Sequence, residues 1–116
     1  MQEIWTFEIN NKSEFESNED LIKKQVEINQ KELGIMLSYY YKPQGAVVEQ
    51  VKFISTIVSK ADNTAKIILG FVVVHFNACL NIHDQNQERI EMTVKVTENE
   101  ITFRGPEILE RGMDEI

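Results

Sequence analysis

Residues 64–83, TAKIILGFVVVHFNACLNIH, constrain the fold more than any other stretch. The first half is apolar on both sides: Ile67, Ile68, Leu69, Phe71, Val72, Val73 and Val74. The second half alternates, with Val74, Phe76, Ala78, Leu80 and Ile82 set against His75, Asn77, Cys79, Asn81 and His83. A period of two is the mark of a strand, because successive side chains leave opposite faces. The β-branched content agrees. At about 3.3 Å per residue such a strand spans roughly 60 Å if straight. That is too long for a small domain, so the stretch is predicted to bend or break at Gly70 or at Asn77–Ala78.

The flanking chain supplies the partners. Residues 2–9 alternate loosely and read as a strand with Trp5 and Phe7 inward. A polar, acidic loop over residues 10–20 follows, with Phe15 directed to the core. Ser17 or Asn18 then offers a helix cap, and Glu19 and Asp20 stand where a helix dipole favours acids. Ile22, Val26, Leu33, Met36, Leu37 and Tyr40 recur near a period of 3.6, which predicts one long helix over residues 18–41. Gly34 opposes it by about 1 kcal/mol. Two strands within residues 25–41, joined at 29–34, are the open alternative. Lys42-Pro43 ends the segment, since a residue before proline avoids the helical region.

Residues 46–59 are rich in Val, Ile and Thr and read as a strand, although Val47, Val51, Ile54 and Val58 also trace a helical stripe. Turn chemistry at 60–63 predicts a hairpin with residues 64–76. Residues 83–88 read as a polar loop. Residues 89–97 alternate cleanly, with Ile90, Met92, Val94 and Val96 on one side. A turn at 98–100 leads to a short strand with Phe103 inward, and Pro106 opens a last helical turn. The expected class is α+β: one long helix packed on a curved antiparallel sheet, in the order β-α-β-β-β-β with a short C-terminal tail.

Length and charge bound the rest. The 116 residues form one expected domain, 1–116, with ordinary hydrophobic content of 42%. No apolar window reaches the roughly 20 residues of a membrane helix. The N-terminus has no signal-peptide pattern and Cys79 is the single cysteine, so a cytoplasmic setting is expected. The net charge of −7 is unevenly spread: −5 over residues 1–20, +3 over 21–83 and −5 over 84–116. This balance argues against nucleic acid and against anionic membrane as partners.

Chemistry-bearing residues are few. His75, Cys79 and His83 hold both imidazoles and the only thiol within nine residues. Along one strand, alternate members of the set stand about 13 Å apart, too far to share an ion. No metal site and no cofactor is therefore expected, and a polar strand face is the plainer reading. No nucleophile elbow, phosphate loop or paired-cysteine motif occurs, so no catalytic residue is assigned. Tyr39, Tyr40 and Tyr41 cannot all face one core, and at least one is expected at an interface. The leading expectation is a small acidic protein-interaction module, regulatory, inhibitory or accessory, without catalytic activity. Its predicted partner is a protein or itself, as a homodimer. The second expectation is a small-ligand-binding or hydrolytic domain, with a pocket between helix and sheet anchored by His75 or His83.

Overall fold

A computed structural model of the chain describes residues 2–9, 18–59, 64–77 and 82–108. Strand β1 (Ile4–Glu8) is followed by helices α1 (Asn18–Ile28) and α2 (Gln30–Tyr41) and a 3-10 turn, Lys42–Gln44. Four strands complete the order: β2 (Ala46–Ser59), β3 (Thr64–Asn77), β4 (Ile82–Val96) and β5 (Glu100–Arg104). The class is α+β, with one five-stranded antiparallel sheet in the order β1-β5-β4-β3-β2. The expected order thus changes at one place: two helices and a 3-10 turn, rather than one long helix, separate β1 from β2.

Asn29 divides the helix. Its backbone sits at φ −100°, ψ 24°, and its side-chain amide donates to the Gln25 carbonyl at 2.9 Å. The Asn29 N–H donates to the same carbonyl, so a side chain doubles the last bond of α1. The apolar stripe survives the break, because Ile22, Val26, Leu33, Met36, Leu37 and Tyr40 are all buried against one sheet. Glu19 and Asp20 lie in the first turn of α1, where its partial positive charge favours them. After α2, Gly45 takes a left-handed φ of 69° and donates to the Lys42 carbonyl, which turns the chain into β2.

The core is a helix-on-sheet layer. Ala65, Ile67, Leu69, Phe71 and Val73 of β3 alternate inward beneath the helices, joined by Met92, Val94 and Val96 of β4 and by Ile101 and Phe103 of β5. Trp5 and Phe7 of β1 pack on this cluster, as their alternation predicted. In β2 the inward residues are Ala46, Val48 and Val51. Register shifts fall between Glu49 and Lys52, Phe53 and Ser55, and Thr56 and Val58. Each extra residue resets the alternation, so that Val48 and Val51, three apart, both face the core. Gln50, inside the first bulge, has a φ of 54°.

Strand β4 begins earlier than its pattern implied. Residues 83–88, read as a loop, pair with residues 71–76 of β3. Backbone pairing needs no apolar side chains, and Gln85, Asn86, Gln87, Glu88 and Arg89 are all exposed, so no alternation marks them. The central stretch is accordingly two antiparallel strands, β3 ending at Asn77 and β4 starting at Ile82. Residues 105–108 carry no regular structure. Phe15, the turn at 60–63, Cys79 and residues 109–116 lie outside the described residues.

Helix α2 ties the two edges of the sheet together. At its start the Gln30 side-chain amide donates to the Val51 carbonyl of β2 at 2.8 Å. One turn on, Gly34 comes so close to β2 that an added β-carbon would lie 3.2 Å from the Val48 carbonyl oxygen. Ser38 Oγ accepts from the Val48 N–H at 2.9 Å and donates to the Gly34 carbonyl at 2.7 Å. At its end the Tyr40 hydroxyl accepts from the Glu3 N–H at 2.9 Å, beside β1. Backbone groups on an edge strand that would otherwise attract another chain thereby find partners within the chain.

Candidate functional site

The three tyrosines divide as a helix requires. Tyr40 is buried, and its hydroxyl also donates to the Pro106 carbonyl at 2.9 Å. Tyr41 is half-buried and meets Phe71 edge-on, ring centroids 5.8 Å apart. Tyr39 is 44% exposed and leans on Trp5, centroids 6.5 Å apart. Tyr40 thus packs into the fold, and Tyr39 is the most exposed of the three. Burial raises the Tyr40 hydroxyl above its ordinary pKa; the Glu3 N–H bond opposes this and the Glu3 charge adds to it. Tyr41 is also raised, first by burial and then by the Glu88 charge.

The histidines do not share a strand. His75 lies in β3 opposite Asp84, and His83 lies in β4 opposite Phe76. His75 is half-buried, with Nε2 3.3 Å from Gln44 Oε1 in the turn after α2. Cys79 lies outside the described residues, and so does the side chain of His83. Among the described residues, no group of three His, Cys, Asp or Glu side chains is close enough to hold a metal ion. No helix among them is long and apolar enough to cross a membrane.

A surface missed in the sequence runs along the seam of α2 and β2. Ile35 is 46% exposed and Val47 is 41% exposed, and both line one groove with Gly34, Ser38 and Val48. Lys31 borders the groove on the helix side and Glu49 on the strand side. Tyr39 stands one turn beyond Ile35 on the same helix face, so Trp5, Tyr39, Ile35 and Val47 string apolar surface across α2. The signal was present in Ile35, which falls outside the buried stripe of α2, and in Val47, which precedes the inward Val48. Reading it needed knowledge of which strand the helix covers.

Beneath the helices lies the buried cluster of the core. The buried cluster is continuous from Leu21 to Phe103, and the Tyr41 ring closes over Phe71. No protein family, no curated protein and no solved structure matches this chain.

Proposed function

We propose that this chain is a non-catalytic interaction module, regulatory or accessory in role, and that it pairs with a second copy of itself through the α2–β2 seam. The observation that carries this is the exposure of Ile35 and Val47 side by side in a groove whose two rims have opposite charge. A twofold axis through the groove sets Lys31 of one copy against Glu49 of the other, and the reverse. Such a surface is self-complementary, so a second copy fits it without a further partner. Exposed Tyr39 and half-buried Trp5 extend the apolar contact with rings that carry a polar edge. Two copies each carrying −7 repel. At physiological salt the screening length is about 8 Å, and most of that charge resides in the terminal segments rather than along the seam.

Sedimentation at rising concentration tests the reading. The expected result is a monomer–dimer equilibrium that Lys31→Glu or Glu49→Lys weakens and that the double exchange restores. Ile35→Glu should abolish pairing without unfolding the chain, since Ile35 is not part of the core. A single species of one-chain mass at high micromolar concentration would sink the proposal. So would a double exchange that stays as weak as either single variant.

A further inference from the structure

A second hollow lies around Gly70, where β2, β3 and β4 run side by side. Lys52 pairs with Gly70 across one strand boundary, and Gly70 pairs with Arg89 across the other. Residues directly opposite share a face, so a lysine and an arginine flank a glycine in a single row. Their α-carbons are about 10 Å apart, two strand spacings. Glycine inside a strand leaves room for a group that approaches the backbone. Here Ile54 and Lys52 take up that room themselves, so the open space lies beside the glycine. A β-carbon on residue 70 would lie 2.9 Å from Ile54 Cδ1 and 3.4 Å from Lys52 Cε.

The bulge in β2 shapes the rest of the hollow. Gln50 holds a left-handed φ of 54°, a conformation that non-glycine residues seldom adopt. It sits in the register shift between Glu49 and Lys52, next to the row. The hollow has a volume of about 470 Å³, within the range of small-molecule sites. Gln30 joins it from the start of α2. Its amide nitrogen is committed to the Val51 carbonyl, which leaves its side-chain oxygen as an acceptor.

Charge points to the kind of ligand. Among the described residues neither Lys52 nor Arg89 forms an ion pair, whereas nearby Lys66 reaches Glu91 at 3.6 Å. Among the described residues Glu88 is the one carboxylate lining the hollow, and its pairing with Phe71 puts it on the helix face, away from the row of Lys52 and Arg89. Gln30, Gln50 and Gln87 add neutral amide groups suited to hydroxyls. We propose that the hollow beside Gly70 binds a small hydroxylated organic anion, its carboxylate or phosphate held between Lys52 and Arg89 and its hydroxyls met by the Gln50 and Gln87 amides.

The test is a titration of the full chain, followed by amide NMR and calorimetry, with glucose 6-phosphate, glucuronate and glucose as probes. It is repeated on Lys31→Glu protein so that self-pairing does not enter the signal. One or both anions should bind at one site per chain and shift the Gly70 and Arg89 amides, while glucose should not. The tighter of the two identifies phosphate or carboxylate as the recognised group. Lys52→Gln and Arg89→Gln should each weaken binding by about tenfold or more. Lys24→Gln removes an exposed cation of α1 paired with Glu27 and should leave binding unchanged. No amide shift with either anion overturns the proposal. It also fails if both row variants bind like the parent, or if Lys24→Gln weakens binding as much as they do.

Discussion

The Tyr40 hydroxyl occupies the place that a β-carbon on residue 105 would need. A β-carbon built on Gly105 meets Tyr40 Oη within clashing distance and Tyr40 Cζ at 2.9 Å. The same hydroxyl bridges the Glu3 N–H and the Pro106 carbonyl, and the Gly105 N–H donates to the Glu3 carbonyl at 2.9 Å. One side chain of α2 therefore joins the segments before β1 and after β5.

Gly105→Ala should cost about 1–3 kcal/mol through overpacking. Tyr40→Phe should cost about 1 kcal/mol, because it leaves a part-buried N–H and a carbonyl without their partner. The two should not add, since the phenyl ring lacks the atom nearest the new methyl. Urea unfolding of both single variants and the double one gives the coupling. Strict additivity would mean that the hydroxyl does not determine the need for glycine.

Stability should fall in alkaline solution. Both Tyr40 and Tyr41 have pKa values raised chiefly by burial. The unfolded chain releases these protons near pH 10, while the folded chain still holds them. Their contribution is thus whole below about pH 10 and is lost as pH rises through the folded values. Unfolding free energies measured across that window should decline, and the Tyr40→Phe, Tyr41→Phe double variant should decline less steeply. Equal slopes would assign the loss to other groups.

Ser38→Ala should destabilise by about 1–3 kcal/mol, because the Val48 N–H on the β2 edge loses its acceptor. Ser38→Thr keeps the oxygen and should recover most of the loss. Amide hydrogen exchange at Val48 gives a local check: it should quicken in the alanine variant and stay near the parent rate in the threonine one.

Core substitutions on β3 should be severe. Phe71 and Val73 are 2% and 1% exposed. Phe71→Ala removes a packed phenyl and should cost about 3–5 kcal/mol. Val73→Asp buries an unpaired carboxylate at several kcal/mol, a large share of the roughly 5–15 kcal/mol that holds a domain. Thermal melting of each variant beside the parent measures this, and an unchanged midpoint would remove β3 from the core.

The parts of this fold that were legible are those where side-chain pattern and backbone structure coincide. Met92, Val94 and Val96 alternate because one face of β4 is buried, and Trp5 and Phe7 do so for the same reason. The start of β4 was hidden because Gln85–Arg89 are exposed side chains on a strand held by pairing to Gly70–Val74. That pairing is a tertiary fact with no local signature. The break at Asn29 was masked by a stripe that continues from Val26 to Leu33, since both helices cover one sheet. The site was less legible than the fold. Tyr39 was visible as a contact candidate, but Ile35, Val47 and the row Lys52–Gly70–Arg89 acquire meaning only from register across strands.

The position of β1 beside β5 bears on how the chain is made. Trp5 lies opposite Phe103, and Gln2 bonds to Gly105, 103 residues away in sequence. At roughly 5–20 residues per second of synthesis, β1 leaves the ribosome roughly 5–20 s before its sheet partner β5 exists. Helix α2 likewise waits for Pro106 before Tyr40 can complete its bridge. Throughout that interval Trp5 and Phe7 depend on the nascent helices, or on a chaperone, for cover. Of the five strands described, the first in sequence is sheltered only when the fifth arrives.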